Sequence, residues 1–322
     1  MTKQLLNSMT REWNSVALET LGVLRVSGAD RVKFLQGQLS NDVTTLSAER
    51  AQLAGFHNPQ GRVIALLLLI EKTTDEMLAV LPRELIGPVV GRLAKYVLRA
   101  KVQLMDESAH WRLTGLIAPA ASTATSSALA VALPEVQYGS ARIGDSLAVC
   151  VAEAAPARWL LLSPHDAQLP AVLASAAAAP LKHWQRLSVA AGEPQVYAST
   201  SEEFVAQMLN LDVLGAIAFD KGCYTGQEVI ARAHYRGRVK RRLQRFFTHE
   251  EVLLKPGDSG ELPDGRAFKV VEAAALEGGG SEFLAVAALA AGEAAAADAR
   301  GEQRVANRIA AQALALPYAL PD

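Results

Sequence analysis

The sequence predicts an α+β protein built from two α/β units with antiparallel sheets and a small C-terminal β-barrel, and three observations predict it. Strand and helix signals alternate over residues 21–105 with hairpin punctuation between them, the theme returns over 111–192, and from Val239 short strand-like pieces are separated by PGDSG, PDG and EGGG turns. The boundaries that follow are 1–108, 109–238 and 239–322. At 322 residues, half of them hydrophobic, the chain is long enough for more than one core.

The elements can be taken in order. LGVLRV (21–26) is a strand turned by Ser27 and Gly28, and ADRVKFLQGQL (29–39) has helical spacing through Val32, Leu35 and Leu39. AQLAGFH and RVIALLLLI flank Asn58-Pro59-Gln60-Gly61, whose proline and glycine suit a tight turn, so a β-hairpin is expected. MLAVL (77–81) is a strand, RELIGPVVGRLAKYVL (83–98) a helix interrupted near Pro88, and KVQLM a closing strand. In the second unit WRLTGLIA and RWLLLSP are strands separated by a Ser/Thr/Ala segment and LAVCVAEA, DAQLPAVLASAAAA is helical by propensity, and KHWQRLSVAAG is a helix stopped by Gly192 and Pro194. Alanine-rich stretches at 118–131 and 285–298 fill helices and loops. RRLQRFF, AFKVVEAA and EFLAVAAL supply the terminal β unit.

Composition excludes several function classes. The 32 basic and 33 acidic residues nearly cancel, so a basic surface for nucleic acid has to be local. Two cysteines more than seventy residues apart form no disulfide framework, and no CxxC or His/Cys cluster points to zinc, which fits a reducing cytoplasm. The apolar run VIALLLLI (63–70) is too short to span a bilayer, and MTKQLLNSMTREWNSV has no signal-peptide core. No Walker loop, dinucleotide fingerprint, metal-ligand pair or paired carboxylates stand out.

Chemistry concentrates in KGCYTGQE (221–228). Thr225 and Glu228 have the T-x-x-E spacing of a capping box, with Tyr224 and Val229 as a hydrophobic staple, so a helix is expected from Gly226 to about Gly237 carrying a Glu228–Arg232 pair. Cys223 then lies just outside a helix N-terminus, two residues from Lys221, and both features favour a thiolate. The alternative is an inert cysteine filling space between glycines. A spatial partner for the thiol, such as His57 or His183, stays open. Downstream, Arg232, Arg236, Arg238, Lys240, Arg241, Arg242 and Arg245 fall within one acid-free run with His234 and Tyr235, which suits an anionic partner or a solvated face. Trp184, with Leu181 and Leu187, reads first as core.

FDKGCYTGQEVIARAHYRG resembles the signature of the YgfZ family of folate-binding proteins, relatives of the glycine-cleavage T-protein, an aminomethyltransferase. RVSGADRVKFLQGQLSNDV, AGFHNPQGRVIA, the AGEP after Trp184, QMLNLD (207–212) and LPYAL resemble the family's corresponding segments, so the likeness spans nearly the whole chain. The resemblance implies three domains around a central channel, a tetrahydrofolate or folate-derivative cofactor, and support of iron-sulfur client enzymes, including those that thiolate tRNA. It assigns Cys223 as the functional thiol with Lys221 beside it, and lifts Trp184 to a folate contact. Tyr224, Gln227, Glu228, Arg232, Tyr235, Arg236 and Asn58 complete the candidate folate site. The family's second tryptophan is replaced by Leu21, and Phe204-Val205-Ala206-Gln207 stands where FxPQ is usual. The T-protein's catalytic aspartate is missing from LAVLPRELIGPV, where Glu84 is the only acid. The implied protein is a non-glycine-cleaving relative of aminomethyltransferase. Two alternatives are a folate-dependent one-carbon transferase and an RNA-binding module using 232–245, with the tRNA link more readily indirect than direct.

Overall fold

A computed structural model describes residues 13–119, 133–154, 156–237, 239–289 and 308–321. The alanine-rich stretches of 118–131 and 285–298 fall largely outside these residues. The fold is mostly sheet with few helices. By internal contacts it divides into one unit of residues 1–38, 42–54 and 67–183 and a second of 39–41, 55–66 and 184–322.

In the first unit the expected strands form with their predicted bounds shifted by up to three residues. β1 (Asn14–Ala17) is followed by β2 (Leu21–Ser27) and a short helix α1 (Arg31–Gln36). The hairpin of β3 (Gln52–His57) and β4 (Val63–Thr73) turns at Asn58–Gly61, and its tip, 55–66, clusters with the second unit. β5 (Glu76–Pro82) leads into α2 (Arg83–Val97) and β6 (Gln103–Asp106). The sheet order is β3-β4-β5-β2-β6. Val63 to Ile70 are all buried, so this stretch of β4 is covered on both faces and each aliphatic side chain contributes about 1.5–3 kcal/mol. Contrary to expectation, Pro88 does not interrupt α2. It sits in the second turn, where buried Leu85, Ile86, Val89 and Leu93 hold the helix against the sheet.

β7 (Trp111–Ile117), β8 (Ser140–Ile143), β9 (Ser146–Ala152), β10 (Arg158–Pro164), a one-turn helix α3 (Ala171–Ser175) and β11 (Ala177–Ala178) follow. They make a second sheet in the order β11-β1-β7-β10-β9-β8. The long helix expected over DAQLPAVLASAAAA shrinks to α3, since Ala177 and Ala178 are drawn into parallel pairing with Asn14 and Ser15. Cys150 on β9 is fully buried in a cluster with Leu116, Trp159 and Leu161.

The second unit begins within α4 (Leu181–Ala190), which ends as expected before Gly192, whose φ of +68° only glycine adopts easily. α5 (Gln227–Arg236) precedes β12 (Arg241–Thr248), β13 (Ser259–Glu261), β14 (Ala267–Ala275), β15 (Ser281–Ala288) and β16 (Ala311–Leu314). These form a third sheet, ordered β13-β14-β15-β12-β16, around Phe246, Phe268 and Phe283. Among the described residues the predicted barrel is not closed. β13 has only three residues, and the open side carries a single isolated bridge, Glu261 to Arg308, among the described residues.

Candidate functional site

The loop before α5 is held from below by its lysine. Lys221 Nζ donates to the carbonyls of Leu39 and Asn41, both at 2.7 Å, and lies 5.1 Å over the Tyr224 ring. Residues 39–41 are themselves stitched to 215–218. Ser40 Oγ donates to Ala216 O at 2.7 Å, Asn41 Nδ2 to Gly215 O at 2.9 Å, and Ala218 N to Ser40 O at 3.0 Å. Lys221 therefore spends donors on two backbone carbonyls, which fixes the segment that presents Gly222 and Cys223. Both of those residues are exposed, and Cys223 is a free thiol.

The helix start departs from the expected capping box. Gly226, not Thr225, is the N-cap residue, with φ of 83°, and no side chain caps it. A Cβ there would fall 3.0 Å from Gly61 Cα and press on the Asn58 carbonyl, so glycine is needed for the close approach of the hairpin tip. The reciprocal bond shifts by one residue: Gln227 Oε1 accepts from Tyr224 N–H at 3.0 Å. Glu228 is exposed in the first turn, and no ion pair joins it to Arg232 among the described residues. Val229 is 40% exposed, so it staples little. The helix stops at Arg236 before Gly237, as expected, and is anchored by buried Ile230, whose carbonyl accepts from buried Gln207 Nε2 at 2.7 Å.

Two further contacts shape the segment. Phe219 and His234 stack with ring centroids 3.8 Å apart, closing the ends of the 219–234 stretch, and 68%-exposed Tyr235 meets both rings edge-on. Tyr224, half-buried, lies 6.3 Å from the His57 ring, and burial raises its phenol to about 12. His57 is fully buried, its two ring nitrogens make no geometrically sound hydrogen bond, and desolvation, the larger cause, lowers its pKa to about 3 while the Gly55 backbone opposes it. It is a neutral imidazole. The sequence marked His57 only as one possible partner for the thiol. Phe219 and Gln207 stood in the sequence only as members of family-like segments, because their roles come from pairing with residues further along the chain.

The remaining candidates sort by what consumes them. Asn58 is buried and its side chain is engaged by the turn: Oδ1 accepts from Gln60 N and Arg62 N at 3.0 Å each, and Nδ2 donates to Glu202 at 2.8 Å. Trp184 is half-buried on α4, and Arg232 is exposed on α5. The acid-free run does not form one basic surface. Arg242 is buried in a bidentate pair with Asp212 at 2.9 and 3.0 Å and also donates to Gln207 O at 3.1 Å, and Arg245 pairs with Glu282 at 2.7 Å. Arg238 and the side chain of Arg236 lie outside the described residues. No group of three or more histidine, cysteine or acidic side chains is placed for a metal among those described.

Searched against protein-family models, the sequence finds no match. Against known proteins it is 33% identical over 232 residues to the tRNA-modifying protein YgfZ of Yersinia pestis strain Pestoides F, covering 71% of this chain and 69% of the relative. The chain belongs to the YgfZ family. The YgfZ of Sodalis glossinidius is 30% identical over 272 residues, covering 82% of this chain and 81% of that protein. Among solved structures, glycine cleavage system aminomethyltransferase T from Bartonella henselae superposes with a TM-score of 0.67 over 89% of this chain and 81% of the other, at 12% identity. At that identity the likeness is one of fold alone, and the site chemistry has to be argued from this chain's own residues.

Proposed function

We propose that this protein is a tetrahydrofolate-binding accessory factor that maintains iron-sulfur clusters in client enzymes, among them enzymes that modify tRNA, with Cys223 as its working thiol. The observation that carries the reading is the loop itself. An exposed cysteine is presented by a lysine tied to two carbonyls, beside a glycine-capped helix, in a chain whose relatives are named tRNA-modifying proteins.

The residues present suit a folate. Its flat pterin would stack on an aromatic ring, for which half-buried Trp184 and Tyr224 are the candidates, and its carboxylate tail would pair with a surface cation, for which exposed Arg232 is the candidate. When bound, a reduced folate would provide one-carbon chemistry. Lys221 would keep the loop in place, and Tyr224, with its phenol held neutral, would act as a hydrogen-bond donor. Asn58 serves the geometry of the hairpin tip instead of offering free hydrogen-bonding groups.

Calorimetry with tetrahydrofolate tests the cofactor half. Trp184→Ala should weaken binding about tenfold, the loss expected when one aromatic face is removed. Unchanged affinity would put the pocket elsewhere, and absence of binding by the parent protein would remove folate from the account. The T-protein fold favours one second reading, a folate-dependent one-carbon transferase. Consumption of methylenetetrahydrofolate by the purified protein would select it. A direct RNA-binding module is the weaker reading, since Arg242 and Arg245 are engaged within the fold.

A further inference from the structure

A cleft of about 650 Å³ lies wholly within the first unit and shares no residue with the KGCYTGQE loop. It opens where the two sheets of that unit meet, between Lys72 at the end of β4, the β6–β7 turn, the β8–β9 hairpin and the residues after β10. Its size is that of a small-molecule site, and such sites favour seams of this kind.

The inner wall is closed on itself. Trp111 is 8% exposed, and its indole N–H donates to Glu107 Oε2 at 3.3 Å, while Arg25 takes the other Glu107 oxygen. Lys72 Nζ pairs with Glu76 at 2.7 Å and lies 5.7 Å from the Trp111 ring centroid, and the Lys72 carbonyl accepts from Arg142 at 2.7 Å. Glu107 and Lys72 are thereby neutralised. The groups exposed at the opening are of mixed sign: the guanidinium of Arg142, the carboxylates of Asp145 and Asp166, and the imidazoles of His110 and His165. The two histidines are held at one end by His165 N donating to His110 O at 3.0 Å.

That balance selects a ligand class. A simple anion would face two carboxylates, and a bare cation would face Arg142, so neither matches the whole rim. We propose that the cleft takes a small zwitterion of the α-amino acid type. Its carboxylate would meet Arg142, its ammonium Asp145 and Asp166, and its side chain the apolar lining of Ala109 and Pro164.

The test is calorimetry of the full chain with the L-amino acids in turn. The best binder is then compared with its analogue lacking the ammonium and its analogue lacking the carboxylate. Saturable binding of at least one amino acid is expected, weakened about tenfold by removing either charge from the ligand, by Arg142→Gln, or by Asp145→Asn with Asp166→Asn. All three residues are exposed, so the variants should melt with the parent, and circular dichroism checks this. No saturable heat for any amino acid up to about 10 mM would overturn the proposal, since binding that weak is worth less than about 3 kcal/mol. Undiminished binding by these variants, or equal binding of the analogue lacking the ammonium, would overturn it too.

Discussion

Cys150 and Cys223 are the chain's two cysteines, and the molecule uses them in opposite ways. Cys150 is fully buried on β9 among Leu116, Trp159 and Leu161, where sulfur serves as a small apolar filler. Cys223 is exposed on a loop that Lys221, Gly226 and Gln227 already fix by backbone contacts. The inert-filler reading that sequence alone left open for Cys223 describes Cys150 instead. The same division runs through the arginines: Arg242 is buried in a paired network, whereas Arg232 stands exposed. A chemically marked residue points to function where the fold has no use for it.

That contrast can be broken or sharpened by substitution. The largest effect should come from Arg242→Ala, which leaves buried Asp212 and the Gln207 carbonyl without their donor. It should cost about 3–5 kcal/mol in urea unfolding, and a loss below about 1 kcal/mol would mean the pair is not buried in solution. Next comes acid. His57 has its pKa lowered from 6.5 to about 3, so the unfolded chain takes up a proton that the folded chain refuses. The stability tied to this neutral imidazole is fully present above pH 6.5 and is lost as pH falls toward 3, by about 3 kcal/mol at pH 4. His57→Gln should flatten that slope in melts between pH 7 and 4, and an unchanged slope would assign it to other groups. Cys150→Ser, placing a hydroxyl in an apolar cluster, should cost about 1–3 kcal/mol. The smallest effect is Cys223→Ala, expected within about 0.5 kcal/mol of the parent.

Much of the fold was legible in the sequence. Short apolar runs bounded by turn residues marked β2, β5, β7, β10 and β14, and Asn58-Pro59-Gln60-Gly61 marked the hairpin, since those signals are local. The errors share a cause. Thr225 and Glu228 have the right spacing for a capping box, but the approach of Asn58 and Gly61 forces a left-handed glycine at the cap and moves the reciprocal bond to Gln227. The run 232–245 is dense in charge, but Asp212 and Glu282, distant in sequence, take two of its arginines. Among the described residues the expected barrel is an open five-stranded sheet, with β13 only three residues long. At the site, the motif was visible in the sequence, but the carbonyls of Leu39 and Asn41 that hold Lys221 lie about 180 residues away and left no local trace.

The central claim is that Cys223 serves function and not the fold. Its most direct test is the activity of an iron-sulfur tRNA-modifying enzyme in cells lacking the endogenous gene and supplied with Cys223→Ala at parental abundance. The account predicts that modification falls to the level of the deletion although the variant is as stable as the parent. Full restoration of modification by Cys223→Ala would contradict it.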